Sequence, residues 1–163
     1  MEFTVTETVV APRDDVVRAL GDPGYYASLG DASTSVRAPE LLSASTDGGT
    51  LRIRVRYAFA GTISGPAAMF VDADKLSWVI ETEYDTAAHT GTLLVVPDSY
   101  EGMLRCRGTL TLTASDGVTI ETVAGTLEVK VPLVSGAAEK AIVGGFTRQF
   151  QLESAALSAW CAR

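Results

Sequence analysis

Val131-Pro132-Leu133-Val134-Ser135-Gly136-Ala137-Ala138-Glu139-Lys140 is the stretch whose reading decides the fold. Upstream of it, the run Val118 to Val131 reads as a strand; Pro132, with no N–H to give to a ladder, ends it. Downstream, the pattern becomes helical and stays so nearly to Arg163. At roughly 100° per residue, Val134, Ala138, Ile142, Phe146, Phe150, Leu157 and Trp160 share one broad face. Lys140, Thr147, Arg148, Gln151, Ser154 and Ser158 fill the opposite one. A helix with so wide an apolar side must bury it, and the only large partner upstream is a series of strands. The expectation is an α+β fold in which a sheet grips one long helix from about Ser135 to Ala162.

Working outward, the last strand holds Ile120 and Leu127 at opposite parity, which predicts a bulge near Gly125. Before it come expected strands at Met103–Thr113, Thr90–Val96, Lys75–Tyr84, Gly61–Val71, Leu51–Phe59 and Val36–Thr46. Ser115-Asp116-Gly117, Pro97 to Gly102, Asp72-Ala73-Asp74 and Asp47-Gly48-Gly49 supply turns between them, and Gly30 to Ser35 reads as a polar loop. Leu51, Ile53, Val55, Tyr57 and Phe59 alternate with Arg52, Arg54 and Arg56; Leu76, Trp78, Ile80, Thr82 and Tyr84 alternate with Ser77, Val79, Glu81 and Glu83. The arginine stripe is read as the outer sheet face, balanced by Glu81, Glu83 and Glu121; a docking patch for acidic lipid is the alternative. The chain opens with a strand, Glu2 to Val10. Two short helices follow, one begun by Pro12 with Asp14 and Asp15 in its first turn, the other capped by Asp22 ahead of Pro23.

The 163 residues are read as one domain, 1–163, long enough to bury roughly 70% of the unfolded surface. A net charge of −7 disfavours nucleic acid, whose phosphates need a basic face. No apolar run has the length of a membrane span, and Met1-Glu2-Phe3-Thr4-Val5 lacks the regions of a signal peptide, so a cytoplasmic location is expected. Cys106 and Cys161 are then expected as reduced thiols. One histidine, His89, and carboxylates without ligand spacing give no metal site; no nucleophile elbow or phosphate loop is present, and no cofactor is expected. His89 reads as a solvated turn residue, or as a general base if Asp85 orients it.

The order strand, two short helices, meander, long helix resembles the helix-grip superfamily: START lipid-transfer domains, birch-pollen-allergen-like proteins and polyketide cyclases, together SRPBCC proteins. Val10-Ala11-Pro12-Arg13-Asp14-Asp15-Val16 and Val131 to Lys140 carry the resemblance, and the latter stretch resembles the strand-to-helix junction of an uncharacterised actinobacterial branch. The resemblance implies a helix-grip fold, an antiparallel sheet curved around the long helix with an apolar cavity between them, and a small hydrophobic ligand such as a lipid, isoprenoid or polyketide. Expected lining residues are Tyr57, Phe59, Trp78, Ile80, Thr82 and Tyr84 from the strands, and Ile142, Phe146, Gln149, Phe150 and Glu153 from the helix. Tyr25 and Tyr26 form a lid in one reading, and fill the gap between short helices and sheet in the other.

Glu153 is the anomaly, a carboxylate within the apolar face. It either holds the polar end of a ligand or is tied to Arg18, a tyrosine or a loop amide. Gly144-Gly145 inside the helix implies close approach to the sheet or a kink. Three functions are compatible with this pattern: a binder or carrier, a cyclase, aromatase or dehydratase using the same cavity, and a scaffold for protein–protein contact. A monomer or weak homodimer without stable membrane insertion is expected.

Overall fold

The structure is a computed structural model that describes residues 1–30 and 36–163. Its strands are β1 (Glu2–Val9), β2 (Glu40–Asp47), β3 (Thr50–Ala58), β4 (Ser77–Asp85), β5 (Thr90–Pro97), β6 (Leu104–Ser115) and β7 (Val118–Val129). They form one antiparallel sheet in the order β1-β7-β6-β5-β4-β3-β2. The helices are α1 (Arg13–Leu20), α2 (Pro23–Leu29) and α3 (Ser135–Cys161). α3 lies along β1 and β7, with α1 and α2 against it. Sheet and long helix thus stand as the periodicity predicts.

The junction into α3 is held by its own residues. Ser135 Oγ donates to the Val131 carbonyl at 2.8 Å, and the Val129 N–H donates to Glu139 Oε1 at 3.0 Å. The end of the strand and the first turns of the helix are therefore tied together. At the other end, Ser158 Oγ accepts from the Val10 N–H at 2.9 Å. Phe146 packs edge-on to Phe3 at 5.4 Å and stacks with Phe150 at 6.1 Å, which seats α3 on β1. The β2–β3 hairpin turns on Gly48 and Gly49, both at positive φ (56° and 81°), the geometry of a two-residue type I′ turn.

Four expectations fail here, each for a local reason. β7 carries no bulge at Gly125: its ladder with β6 runs unbroken from Leu104↔Val129 to Ser115↔Val118. Gly125 instead faces Gly108 across the ladder, where a Cβ on Gly108 would lie 2.5 Å from the Ala124 carbonyl and one on Gly125 would strike the Arg107 carbonyl. The strands approach too closely there for any side chain, and inward–outward alternation passes straight through. Ile120 therefore points outward and Glu121 inward. Among the described residues, the one register shift is on β2, between Leu41 and Ser43.

Gly61–Val71 is not a strand; Gly65–Met69 and Ala73–Lys75 are 3₁₀ turns, because Pro66 has no N–H for a ladder and Asp72 caps the second turn through Asp74 N at 3.1 Å. Val36 makes only an isolated bridge to Phe59, and β2 starts after Pro39. The polar loop expected over Gly30 to Ser35 lies, beyond Gly30, outside the described residues. Lastly, Gly144 and Gly145 approach no sheet backbone: a Cβ on either would meet only the Arg148 side chain, at 3.5 and 4.0 Å. α3 is continuous through them.

Candidate functional site

Three elements bring polar groups to one place on the concave side. Asp22 caps α2, its Oδ1 accepting from Gly24 N at 2.7 Å, and this sets the first turn so that Tyr25 and Tyr26 are buried side by side, edge-on at 4.9 Å. Tyr25 Oη donates to the main-chain carbonyl of Glu153 at 3.0 Å, and Tyr26 Oη donates to the Leu20 carbonyl at 2.9 Å. β3 supplies Tyr57, whose ring stacks on that of its cross-strand partner Trp78 at 6.0 Å with 8° between planes. α3 supplies Gln149 and, one turn on, Glu153.

Glu153 receives two bonds: Gln149 Nε2 donates to Oε1 at 2.8 Å and Tyr57 Oη to Oε2 at 3.2 Å. Part of the residue reaches the surface, yet the carboxyl lies deep enough that loss of hydration outweighs both bonds and pushes its pKa up to about 7. Burial, and then the Glu153 charge, raises Tyr25, Tyr26 and Tyr57 above the ordinary phenol value, so all three are neutral hydroxyls. Gln149 Oε1 is buried without a partner.

A second carboxyl, not among the expected site residues, stands close by. Glu121 on β7 is 6% exposed and accepts from Ser154 Oγ at 3.2 Å. Burial raises it to about 7 against the Ser154 bond, helped by Glu153 and by Glu7, which faces it directly across β1–β7. Like charges opposed on neighbouring strands are unfavourable unless one is neutral. Alternation interrupted by a bulge puts Glu121 on the outer face with Glu81 and Glu83; it is inside because no bulge flips the parity. Ser154, expected on the polar side of the helix, is 3% exposed, its hydroxyl spent on Glu121. Counting by twos back from Val129 and Leu127 through Val123 finds Glu121 and Thr119 without any bulge.

The outer stripe is otherwise as expected: Arg52 pairs with Glu83 at 3.1 Å and Arg54 with Glu81 at 3.0 Å, while Arg56 takes Asp98 at 3.3 Å. Of the expected lining residues, Tyr25, Tyr26, Tyr57, Gln149 and Glu153 form the polar cluster, with Trp78 stacked on it. Phe146 and Phe150 pack together, and Ile80 and Thr82 lie on the inner face of β4, opposite Val55 and Ile53. Three residues stand apart from this group. Tyr84 is buried beside Arg13 at the α1 end, opposite Leu51. Phe59 lies beyond the last β3–β4 pair, outside the core cluster, and Ile142 is 38% exposed. The stripe position of Ile142 marks what a partner could bury, but the sheet does not cover the helix that far.

His89 sits at positive φ in the β4–β5 turn, at the opposite end of β4 from Trp78. Cys106 and Cys161 are free, and burial lifts the Cys106 thiol to about 11. Two open grooves, of about 440 and 380 Å³, lie away from the cluster: one along Ile63 to Ala73 with Tyr100, the other on the outer face around Glu83 and Thr92. Among the described residues, no helix is long and apolar enough to cross a membrane.

This architecture, a meander curved about a long C-terminal helix with two short helices after the first strand, is a helix-grip fold. The chain belongs to the family described as "Protein of unknown function (DUF2505)", whose model matches residues 4–161. No curated protein matches the sequence. Among solved structures it is similar to TTHA0849 from Thermus thermophilus (18% identity, TM-score 0.67, 99% of this chain and 97% of that one). It is also similar to the ZhuI aromatase/cyclase from Streptomyces sp. R1128 (17%, 0.67, 100% and 94%). A START superfamily protein from Mycobacterium smegmatis matches as well (15%, 0.56, 99% and 97%). At these identities the likeness is one of fold.

Proposed function

We propose that the protein binds a small apolar molecule between the concave face of the sheet and α3. One observation carries this reading. Trp78, Ile80, Val95, Cys106 and Phe146 point to the concave side and pack against the core, yet each stays partly exposed. In a closed core such residues are buried and touched on all sides; here they form an apolar wall with room left over it. A ligand laid on that wall gains roughly 25 cal/mol for each Å² of apolar surface taken from water. Glu153, held by Tyr57 and Gln149, is the polar group that orients it.

A second reading draws on the Glu153–Tyr57 bond. A carboxyl brought near 7 beside a neutral phenol is able to take and return a proton at physiological pH, and one protein of similar fold is an aromatase/cyclase. The same pocket then acts on its ligand rather than only carrying it. Native mass spectrometry of the purified protein, alone and after incubation with alcohols of 12 to 16 carbons, tests the binding common to both. One-to-one complexes that shed the ligand on activation are expected; a bare chain throughout would overturn both readings.

A further inference from the structure

Donors and acceptors in the polar cluster are unequally spent. Tyr57 Oη and Gln149 Nε2 are committed to Glu153, Ser154 Oγ to Glu121, Tyr25 Oη to a main-chain carbonyl and Tyr26 Oη to another. Each of these groups makes a hydrogen bond, and of them only Gln149 Nε2 has a second N–H. Acceptors are left over: Gln149 Oε1 is fully buried with no partner among the described residues, and each carboxylate oxygen can take more than one hydrogen bond. Because Gln149 Nε2 lies 2.8 Å from Glu153 Oε1, the orphaned amide oxygen on the same planar group is beside that carboxylate.

The cations are elsewhere. Of the 13 Lys and Arg side chains, 12 belong to exposed residues; the other, Arg13, lies by Tyr84 at the far end. Arg52, Arg54 and Arg56 are spent on outer-face carboxylates. An incoming carboxylate or phosphate would thus meet acceptors and the negative charge that Glu153 and Glu121 share, with no Lys or Arg side chain beside the cluster; among the described residues on this part of the inner face, Thr82 has the one hydroxyl not already committed.

Building on the apolar-binding reading, we infer that the ligand carries a hydrogen-bond donor, first of all a protonated amine, which docks between Glu153 and the orphaned Gln149 carbonyl. An amine offers up to three donors to these acceptors and a charge opposite to that of the carboxylates. An alcohol offers one donor and no charge, and a fatty acid anion offers no donor and a charge of the same sign as the carboxylates. The order of affinity is amine, alcohol, carboxylate at equal chain length.

The test is calorimetric titration at pH 7 and fixed ionic strength with dodecylamine, dodecan-1-ol and dodecanoate, each below its micelle concentration or, for the alcohol, its solubility limit. Dodecylamine is expected to bind at least about tenfold more tightly than dodecanoate, with the alcohol between. Glu153→Gln should bring amine and alcohol to within about twofold of each other. Glu40→Gln, which alters net charge equally on an exposed strand, should leave the gap intact. If Glu153→Gln does not fold by thermal unfolding, Gln149→Leu takes its place and should shrink the amine preference. Dodecanoate binding as tightly as dodecylamine would overturn the inference and leave the apolar reading standing. So would a Glu40→Gln effect equal to that of Glu153→Gln. If none of the three ligands binds, the apolar reading falls with it.

Discussion

Replacing Glu121 by Gln should stabilise the protein, and more so at high pH than at low. The wild-type carboxyl is buried, bonded only by Ser154 among the described contacts, opposed by Glu7 and repelled by Glu153, so its pKa rises from 4.5 to about 7 on folding. A raised carboxyl pKa means that the folded state binds the proton more tightly than the unfolded state. Stability is therefore full below the unfolded pKa and falls as pH climbs from about 4.5 to about 7, where it levels off. The whole shift corresponds to roughly 3 kcal/mol, and by pH 5 less than about 1 kcal/mol of it has been lost. Gln keeps the size and an oxygen for Ser154 but carries no charge. Urea denaturation of both proteins at pH 5 and pH 8 should show a stabilisation by Glu121→Gln that is greater at pH 8 by roughly 2 kcal/mol. A variant whose advantage is the same at both pH values, or shrinks at pH 8, would refute the account of a charge forced into the core.

The glycines give a paired test. Gly108→Ala should destabilise by roughly 1–3 kcal/mol, since its Cβ would sit 2.5 Å from the Ala124 carbonyl, whereas Gly144→Ala should stabilise by about 0.5–1 kcal/mol because only Arg148 is near. Both are read from denaturant midpoints, and the same sign for the two would contradict either the close β6–β7 crossing or the open surroundings of Gly144. Trp78→Ala should cost less than the roughly 3–5 kcal/mol of a fully buried tryptophan, because Trp78 is only partly covered. It should nevertheless weaken binding of dodecan-1-ol by about tenfold or more; a full core penalty with unchanged binding would place Trp78 in the packing rather than in the ligand wall.

Periodicity makes the scaffold readable. The helix after Pro132, the inward run Leu51-Ile53-Val55-Tyr57 and the Arg52–Glu83 and Arg54–Glu81 ladder all follow from spacing alone. Glu153 is legible for a related reason, since a carboxylate in an apolar stripe has no solvent to fall back on. Glu121 is not, because the parity conflict between Ile120 and Leu127 points to a bulge, when a close Gly108–Gly125 crossing lets an isoleucine face out and an acid face in. Ser154 goes with it: a small hydroxyl reads as surface until its partner is known to be buried. Ile142 and Tyr84 stand apart from the cluster for a different reason. Alternation and helical angle tell which way a side chain points, not how far along the element a neighbour extends to meet it.

The most direct measurement is contact between a bound chain and the concave wall. Trp78 and Trp160 are the two tryptophans, and only Trp78 lies on the sheet face proposed to hold the ligand. In a Trp160→Phe background, 11-bromoundecan-1-ol, whose bromine quenches indole at short range, should quench Trp78 emission along a saturable curve with one-to-one stoichiometry. In the reciprocal Trp78→Phe protein the emission of Trp160, packed edge-on to Tyr25, should be quenched far less. Quenching that does not saturate, or that is equal in the two proteins, would contradict an apolar site between the sheet and α3.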